Sequence, residues 1–176
     1  MSDDTKDEVE TSPQPVNLIE LLGKPMSDFP DLPNLPGMKW FYGKLLDITA
    51  DHSSVKKTPL YDFSIRITDP GKDVTAGEIK AISDGGFSLS DYEAHAKFYV
   101  TPNALKMLRR FVTSLGFPPS VSFIEALALD PTTGNPTDAT KEKLRGIDVM
   151  FRTPAADDQG RVFLSNVDMV TGEIKT

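Results

Sequence analysis

Aromatic and basic residues stand side by side in MKWFYGKLLDIT, residues 38–49. Trp40, Phe41 and Tyr42 are consecutive, and successive side chains of a strand point to opposite faces, so the three rings cannot share one core. Phe41 needs no polar partner when it is buried, whereas the indole N–H and the phenol O–H do. We therefore expect Phe41 in the core, with Trp40, Tyr42 and Lys44 on the opposite, outward face.

Exposed aromatic rings beside cations are typical of surfaces that bind single-stranded nucleic acid. Each base that stacks on a ring contributes about 1–3 kcal/mol, while basic side chains follow the phosphates. The candidate binding residues share an outward strand position or the first loop, and they are Trp40, Tyr42, Lys44, Lys56, Lys57, Arg66, Lys97, Tyr99 and Arg152. Each also has a purely structural explanation, since strand aromatics are often core residues and loop lysines are often solvated charges.

Catalytic and metal-binding patterns are missing from the sequence. The chain has no cysteine and two histidines, His52 and His95, which excludes disulfides, thiolate zinc sites and cysteine nucleophiles. Phosphate-loop, G-x-S-x-G and H-E-x-x-H motifs do not occur. The loop DPTTGNPTD lacks the spacing and the closing glutamate of a calcium loop. We therefore predict a protein that is not an enzyme and that holds no cofactor and no metal.

The net charge of −7 argues against a nucleic-acid partner until its distribution is considered. Residues 1–31 hold eight acidic and two basic residues, which leaves a balance of −1 for residues 32–176. A local basic face on the body of the protein is therefore compatible with the composition. Residues 1–16 contain no aromatic residue and cannot bury enough surface to offset the entropy of ordering. We predict a disordered, acidic and proline-rich segment over residues 1–34 and a folded domain over residues 35–170.

The spacing of apolar residues predicts five long strands and one main helix. The strands are expected at 38–48, 60–70, 93–100, 146–153 and 161–170, with a short strand at 78–83. An apolar stripe of Leu105, Leu108, Phe111 and Val112 predicts a helix over residues 102–115. The segment VSFIEALAL fits either a strand or a helix. A helix between the third and fourth long strands favours a mostly β fold, a five-stranded OB-like Greek-key barrel.

Three stretches carry a resemblance to a known family. They are LPGMKWFYGKLLDITADHSSVKKTPLYDFSIRITDP, FYVTPNALKMLRRFVTSLGFP and LRGIDVMFRTPAADDQGRVFLSNVDMV. In order, they contain a first strand with a glycine turn, a Lys/Thr-rich first loop, a central helix ending in LG and a strand of the form G-x-D/K-V-x-x. In this arrangement the chain resembles phage-encoded small OB-fold proteins that are single-stranded-DNA-binding-like and of largely unassigned function.

The resemblance implies an OB-like barrel and binding of single-stranded DNA by an accessory protein of phage DNA replication or recombination. Two other classes stay open: a phage factor that binds proteins without binding nucleic acid, and an enzyme or virion part. The acidic N-terminal tail is expected to recruit phage or host replication or recombination proteins, or to occupy the groove itself. The chain has no run of about 18 apolar residues and no signal-peptide pattern. We therefore expect an intracellular protein of the host cytoplasm with no membrane partner.

Overall fold

The computed structural model describes residues 18–28 and 31–172, which belong to two compact units, residues 1–32 and 33–176. In the first unit, helix α1 spans Leu18–Leu22 and a single 3-10 turn spans Met26–Asp28. The predicted disordered segment falls in large part on residues outside the described ranges, so it stays a prediction.

The described part of the second unit contains five strands and four α-helices. The strands are β1 (Trp40–His52), β2 (Pro59–Pro70), β3 (Glu93–Tyr99), β4 (Asp148–Arg152) and β5 (Met169–Gly172). The helices are α2 (Ala76–Asp84), α3 (Leu105–Ser114), α4 (Phe123–Ala126) and α5 (Asp138–Leu144).

The five strands form one antiparallel sheet in the order β3-β2-β1-β4-β5. Because β4 returns to lie beside β1, the first four strands have the Greek-key order. This arrangement confirms the predicted mostly β fold with five strands. The predicted closure into a barrel is not found, since β3 and β5 are the two edges of an open sheet across the described residues. Between these edges, the His95 N–H donates to the Leu164 carbonyl and the Val167 N–H donates to the His95 carbonyl, both at 2.8 Å.

Helix α3 lies at this open side and contacts both β3 and β5. Leu108, Phe111 and Val112 of its apolar stripe are buried and Leu105 is half-buried. The rings of Phe63 on β2, Phe98 on β3 and Phe111 on α3 pack with centroids 5.1–5.7 Å apart. The Gly172 N–H of β5 donates to Ser114 Oγ of α3 at 2.7 Å. The predicted helix is therefore confirmed, although it begins at Leu105 because residues 101–104 form a preceding turn.

Two predicted strands are wrong. Residues 78–83 belong to α2, because Thr75 and Glu78 form a capping box that begins a helix. The Glu78 N–H donates to Thr75 Oγ1 at 3.2 Å, and the Thr75 N–H donates to Glu78 Oε2 at 2.8 Å.

The last strand lies at 169–172 and not at 161–170. The Arg161 N–H donates to Asp157 Oδ1 at 2.8 Å, so residues 157–161 form a turn and not a strand. The next segment, which includes Leu164 and Val167, forms backbone hydrogen bonds with His95 of β3. The ambiguous segment VSFIEALAL forms α4, where the Ser122 side chain caps the helix by accepting from the Glu125 N–H at 3.1 Å.

Gly43 lies where the β1–β2 register shifts, between Tyr42 and Gly43. A Cβ atom at Gly43 would lie 2.5 Å from Ile65 Cγ2 and 2.6 Å from the Arg66 carbonyl oxygen. We expect Gly43→Ala to lower the free energy of unfolding by about 1–3 kcal/mol, because overpacking forces the strands apart. Urea denaturation measures this change. Gly77→Ala is the control, since its Cβ would meet only Thr75 Oγ1 at 4.0 Å, and equal losses in both variants would contradict the packing argument.

Candidate functional site

The outward face of the sheet carries all seven strand residues of the predicted site. Phe41 is fully buried, whereas Trp40 and Tyr42 are half-buried and Lys44 is exposed, so the expected strand phase is confirmed. The other four are half-buried or exposed, and they are Arg66, Lys97, Tyr99 and Arg152. The alternation of β1 to β4 thus places the predicted side chains on one surface, with Lys56 and Lys57 in the loop after β1.

Cross-strand register separates these residues into two groups. The first group lies on β1 and the strands beside it, and we call it the β1–β4 group. In it, Trp40 lies opposite Arg152 of β4 and Lys44 lies opposite Arg66 of β2, with Tyr42 between the two pairs. The β3 group consists of Lys97 and Tyr99 at the end of β3, with Lys56 and Lys57 in the first loop. The structure therefore does not bring all nine predicted residues together in one cluster.

Acidic side chains neutralise much of the β1–β4 group. Lys44 Nζ donates to Asp148 Oδ1 at 2.6 Å. Arg152 donates to Asp168 through both Nε and Nη2, with the Nε bond at 2.9 Å. The Asp73 carboxylate accepts from the Trp40 backbone N–H at 3.1 Å. A phosphate that approaches this group meets carboxylates beside most of its cations.

His95 occupies the face between the two groups. Its Nδ1 lies 2.9 Å from Asp62 Oδ1, and its Nε2 lies 3.3 Å from Glu93 Oε1. The β2–β3 register places Asp62 and Glu93 on the same face as His95. Among residues 18–28 and 31–172, no group of three or more such side chains, this one included, has an arrangement that could hold a metal ion.

The first loop holds Lys56 and Lys57 in exposed positions. Ser53 closes the loop: its N–H donates to the Thr58 carbonyl at 2.8 Å, and its Oγ accepts from the Thr58 N–H at 2.9 Å. Lys57 has a φ of 53°, an uncommon conformation for a residue other than glycine. A cleft of about 480 Å³, the loop cleft, lies between this loop and the end of β3 and includes Lys56 and Tyr99.

A second cleft, of about 430 Å³, lies at the open side of the sheet between β3, α3 and the chain leading into β5. We call it the seam cleft. Its walls combine apolar side chains, including Phe98, Met107 and Phe111, with polar ones that include Lys97, Arg110, Asn166 and Asp168, the last of which is paired with Arg152. Tyr99 is 40% exposed and lines both the loop cleft and the seam cleft. The ring of Tyr99 therefore stands where two concave surfaces with basic side chains meet.

Three basic residues of α3 adjoin this region and are absent from the predicted set. Lys106, Arg109 and Arg110 are exposed, and they line a third cleft of about 690 Å³, the helix cleft, with Thr113, Ser114 and Pro119. The sequence assigns them only to the polar face of a helix. The signal that could have found them is a ten-residue helix with three cations and no carboxylate.

The loop DPTTGNPTD, residues 130–138, is stabilised by hydrogen bonds between its first side chain and its own backbone. Asp130 Oδ1 accepts from the Thr132 N–H at 2.8 Å and from the Thr133 N–H at 2.9 Å. These backbone hydrogen bonds lower the pKa of Asp130 below its usual value. The Asp130 carboxylate thus stabilises the turn in which it lies.

Comparison with known proteins does not decide the function. Neither a protein-family model nor a curated protein sequence matches the chain. Among the described residues, no helix combines the length and the hydropathy needed to cross a membrane.

Proposed function

We propose that the protein binds single-stranded DNA on the outward face of its sheet, as a non-catalytic accessory protein of phage DNA replication or recombination. The proposal includes an OB-like arrangement of the domain, because OB folds are partly open Greek-key barrels that bind oligonucleotides on strands 2 and 3 and neighbouring loops. Three features support this arrangement: the Greek-key strand order, α3 between β3 and β4, and the backbone hydrogen bonds that join His95 with Leu164 and Val167.

The position of Tyr99 is the observation that carries the proposal. A ring that stacks with bases must be accessible on one face and must have cations within reach of the adjoining phosphates. Tyr99 is 40% exposed, and the clefts on its two sides contain Lys56, Lys97 and Arg110. Stacking tolerates any base, so this surface favours binding without strong sequence preference.

The distribution of ion pairs favours the β3 group over the β1–β4 group as the main contact. Lys44 and Arg152 form ion pairs with Asp148 and Asp168, whereas no ion pair of Lys56 or Lys97 occurs within the described ranges. Phosphates compete poorly for a cation that already has a carboxylate partner. Trp40, Tyr42, Lys44, Arg66 and Arg152 then form a flanking surface that makes weaker contacts with the strand.

The alternative of a protein-binding factor has less support from the sheet edges. An extended peptide could add to the free edge of β3 only through unpaired backbone groups. His95 already uses its N–H and its carbonyl in bonds to the segment before β5, and the Lys97 N–H donates to Asn166 Oδ1 at 3.3 Å. The acidic residues 1–16, which lie outside the described ranges, are proposed to recruit phage or host replication or recombination proteins.

Fluorescence anisotropy with a labelled oligo-dT tests the proposal directly. We expect binding at low salt that weakens steeply at moderate salt, with a slope of log K against log salt of about −0.7 for each phosphate contact. A duplex of the same length is the matched control and should bind less tightly, because its bases are already stacked. Absence of oligo-dT binding at low salt would refute the proposal and favour the protein-binding class.

Trp40 is the only tryptophan of the chain, so its fluorescence reports which part of the face the strand covers. If the β3 group is the main contact, saturation with a short oligo-dT should change this fluorescence little. Strong quenching at the same saturation would instead place the strand on the β1–β4 group.

A further inference from the structure

We propose that the bound strand continues from Tyr99 onto the exposed face of α3, where Lys106, Arg109 and Arg110 bind its phosphates. This inference rests on the proposed function and adds a second part to the same DNA-binding surface. The face of the sheet then provides the ring on which bases stack, and the helix provides most of the positive charge that neutralises the phosphates.

The three basic residues form one contiguous patch. Arg109 and Arg110 follow Lys106 by three and four residues, so both side chains are neighbours of Lys106 on one side of α3. Within residues 18–28 and 31–172, none of the three forms an ion pair with a carboxylate, in contrast to Lys44 and Arg152. We call Lys106, Arg109 and Arg110 the helix patch.

The helix patch is unfavourable for the helix that carries it. Like charges at this spacing destabilise a helix by about 0.2–0.5 kcal/mol per pair. A lysine in the first turn also lies near the positive end of the helix macrodipole, where a carboxylate would be preferred. An anion bound at the patch would relieve both effects.

The helix patch is continuous with the surface around Tyr99. Arg110 lines both the helix cleft and the seam cleft, and Tyr99 lines both the seam cleft and the loop cleft. The loop cleft, the seam cleft and the helix cleft therefore adjoin one another in that order, from Lys56 in the first loop to Arg109 on α3. The helix is about 15 Å long at 1.5 Å per residue, so it extends the binding surface beyond the sheet.

The chemistry of the patch suits a phosphate backbone. Arginine presents a planar fork of donors that matches two phosphate oxygens, and lysine supplies a compact point charge. Thr113 adds a hydroxyl group at the far end of the helix cleft. An acidic protein segment is the alternative ligand of the patch, and titrations with oligo-dT distinguish it from a DNA strand.

The test compares K106A/R109A/R110A with wild type on oligo-dT of about 6 and about 16 nucleotides, lengths that span the usual site sizes of this kind of fold. Alanine favours helix, so α3 should stay folded, which circular dichroism checks. For the longer strand we expect affinity at low salt to fall at least about 10-fold and the salt slope to shrink by about 2, at about 0.7 per lost phosphate contact. For the shorter strand we expect a change within about 2-fold, because Tyr99 and the loop suffice to hold it.

The matched control is K72A/K80A/R145A, which removes the same number of charges from exposed residues that line none of the three clefts. It should bind both strands like wild type. An equal loss in the control would overturn the inference, because it would show a general charge effect.

Unchanged binding of the longer strand by the helix-patch variant would also overturn the inference and assign the patch to another partner. The proposed function would then stay intact as long as the wild-type protein binds the strand. If wild type binds neither strand, both proposals fail.

Discussion

Replacing Phe41 by alanine is expected to lower the free energy of unfolding by about 3–5 kcal/mol, the usual cost of emptying a phenylalanine site in a core. Phe41 is fully buried on the inner face of β1, and its ring stacks on Phe151 of β4 with centroids 6.0 Å apart. The cavity would open between the two strands whose pairing creates the Greek-key order. Urea denaturation followed by circular dichroism measures the loss.

Trp40→Ala is the matched comparison, because the neighbouring ring lies on the opposite face of the same strand. Trp40 is half-buried and lies outside the main hydrophobic cluster. We expect its replacement to cost clearly less stability than that of Phe41, although tryptophan is the larger side chain. A more severe loss in Trp40→Ala than in Phe41→Ala would contradict the observed phase of β1.

Replacing Tyr99 by alanine is expected to weaken oligo-dT binding by about 5- to 150-fold, which corresponds to one stacked base at about 1–3 kcal/mol. The ring is 40% exposed at the junction of the loop cleft and the seam cleft. Because the loss concerns stacking and not charge, the slope of affinity against salt should stay nearly unchanged. Anisotropy titrations at several salt concentrations measure both quantities.

Tyr99→Phe keeps the ring and should retain most of the affinity, which separates stacking from a role of the hydroxyl group. Trp40→Ala provides the second comparison, and we expect a smaller effect because acidic side chains adjoin the cations of its group. Equal affinity of Tyr99→Ala and wild type, with an unchanged thermal midpoint, would remove Tyr99 from the site. A larger effect of Trp40→Ala would move the main contact to the β1–β4 group.

Local patterns in the sequence were sufficient to predict the first four long strands, the phase of their side chains and the main helix, whereas the last strand is predicted at 161–170 and lies at 169–172. Alternation in WFYGKLL and LYDFSIRIT depends on the twofold period of a strand, and the stripe from Leu105 to Val112 depends on the helical period, so neighbours along the chain carry the information. The same alternation placed the strand residues of the predicted site on one face. The capping box of Thr75 and Glu78 is also a local signal, although the apolar pattern of residues 78–83 predicts a strand there.

Tertiary structure alone decided which charges are available for a partner. Lys44 and Asp148 are separated by more than one hundred residues, as are Trp40 and Arg152, so only strand pairing brings them together. The same holds for the contacts of His95 with Asp62 and for the position of α3 at the open side of the sheet. The sequence determines where cations and rings occur and which way they point, because these follow from short periods. Whether a cation meets a carboxylate, as Lys44 does, or forms no ion pair within the described residues, as Arg110 does, depends on contacts between distant segments that no local pattern encodes.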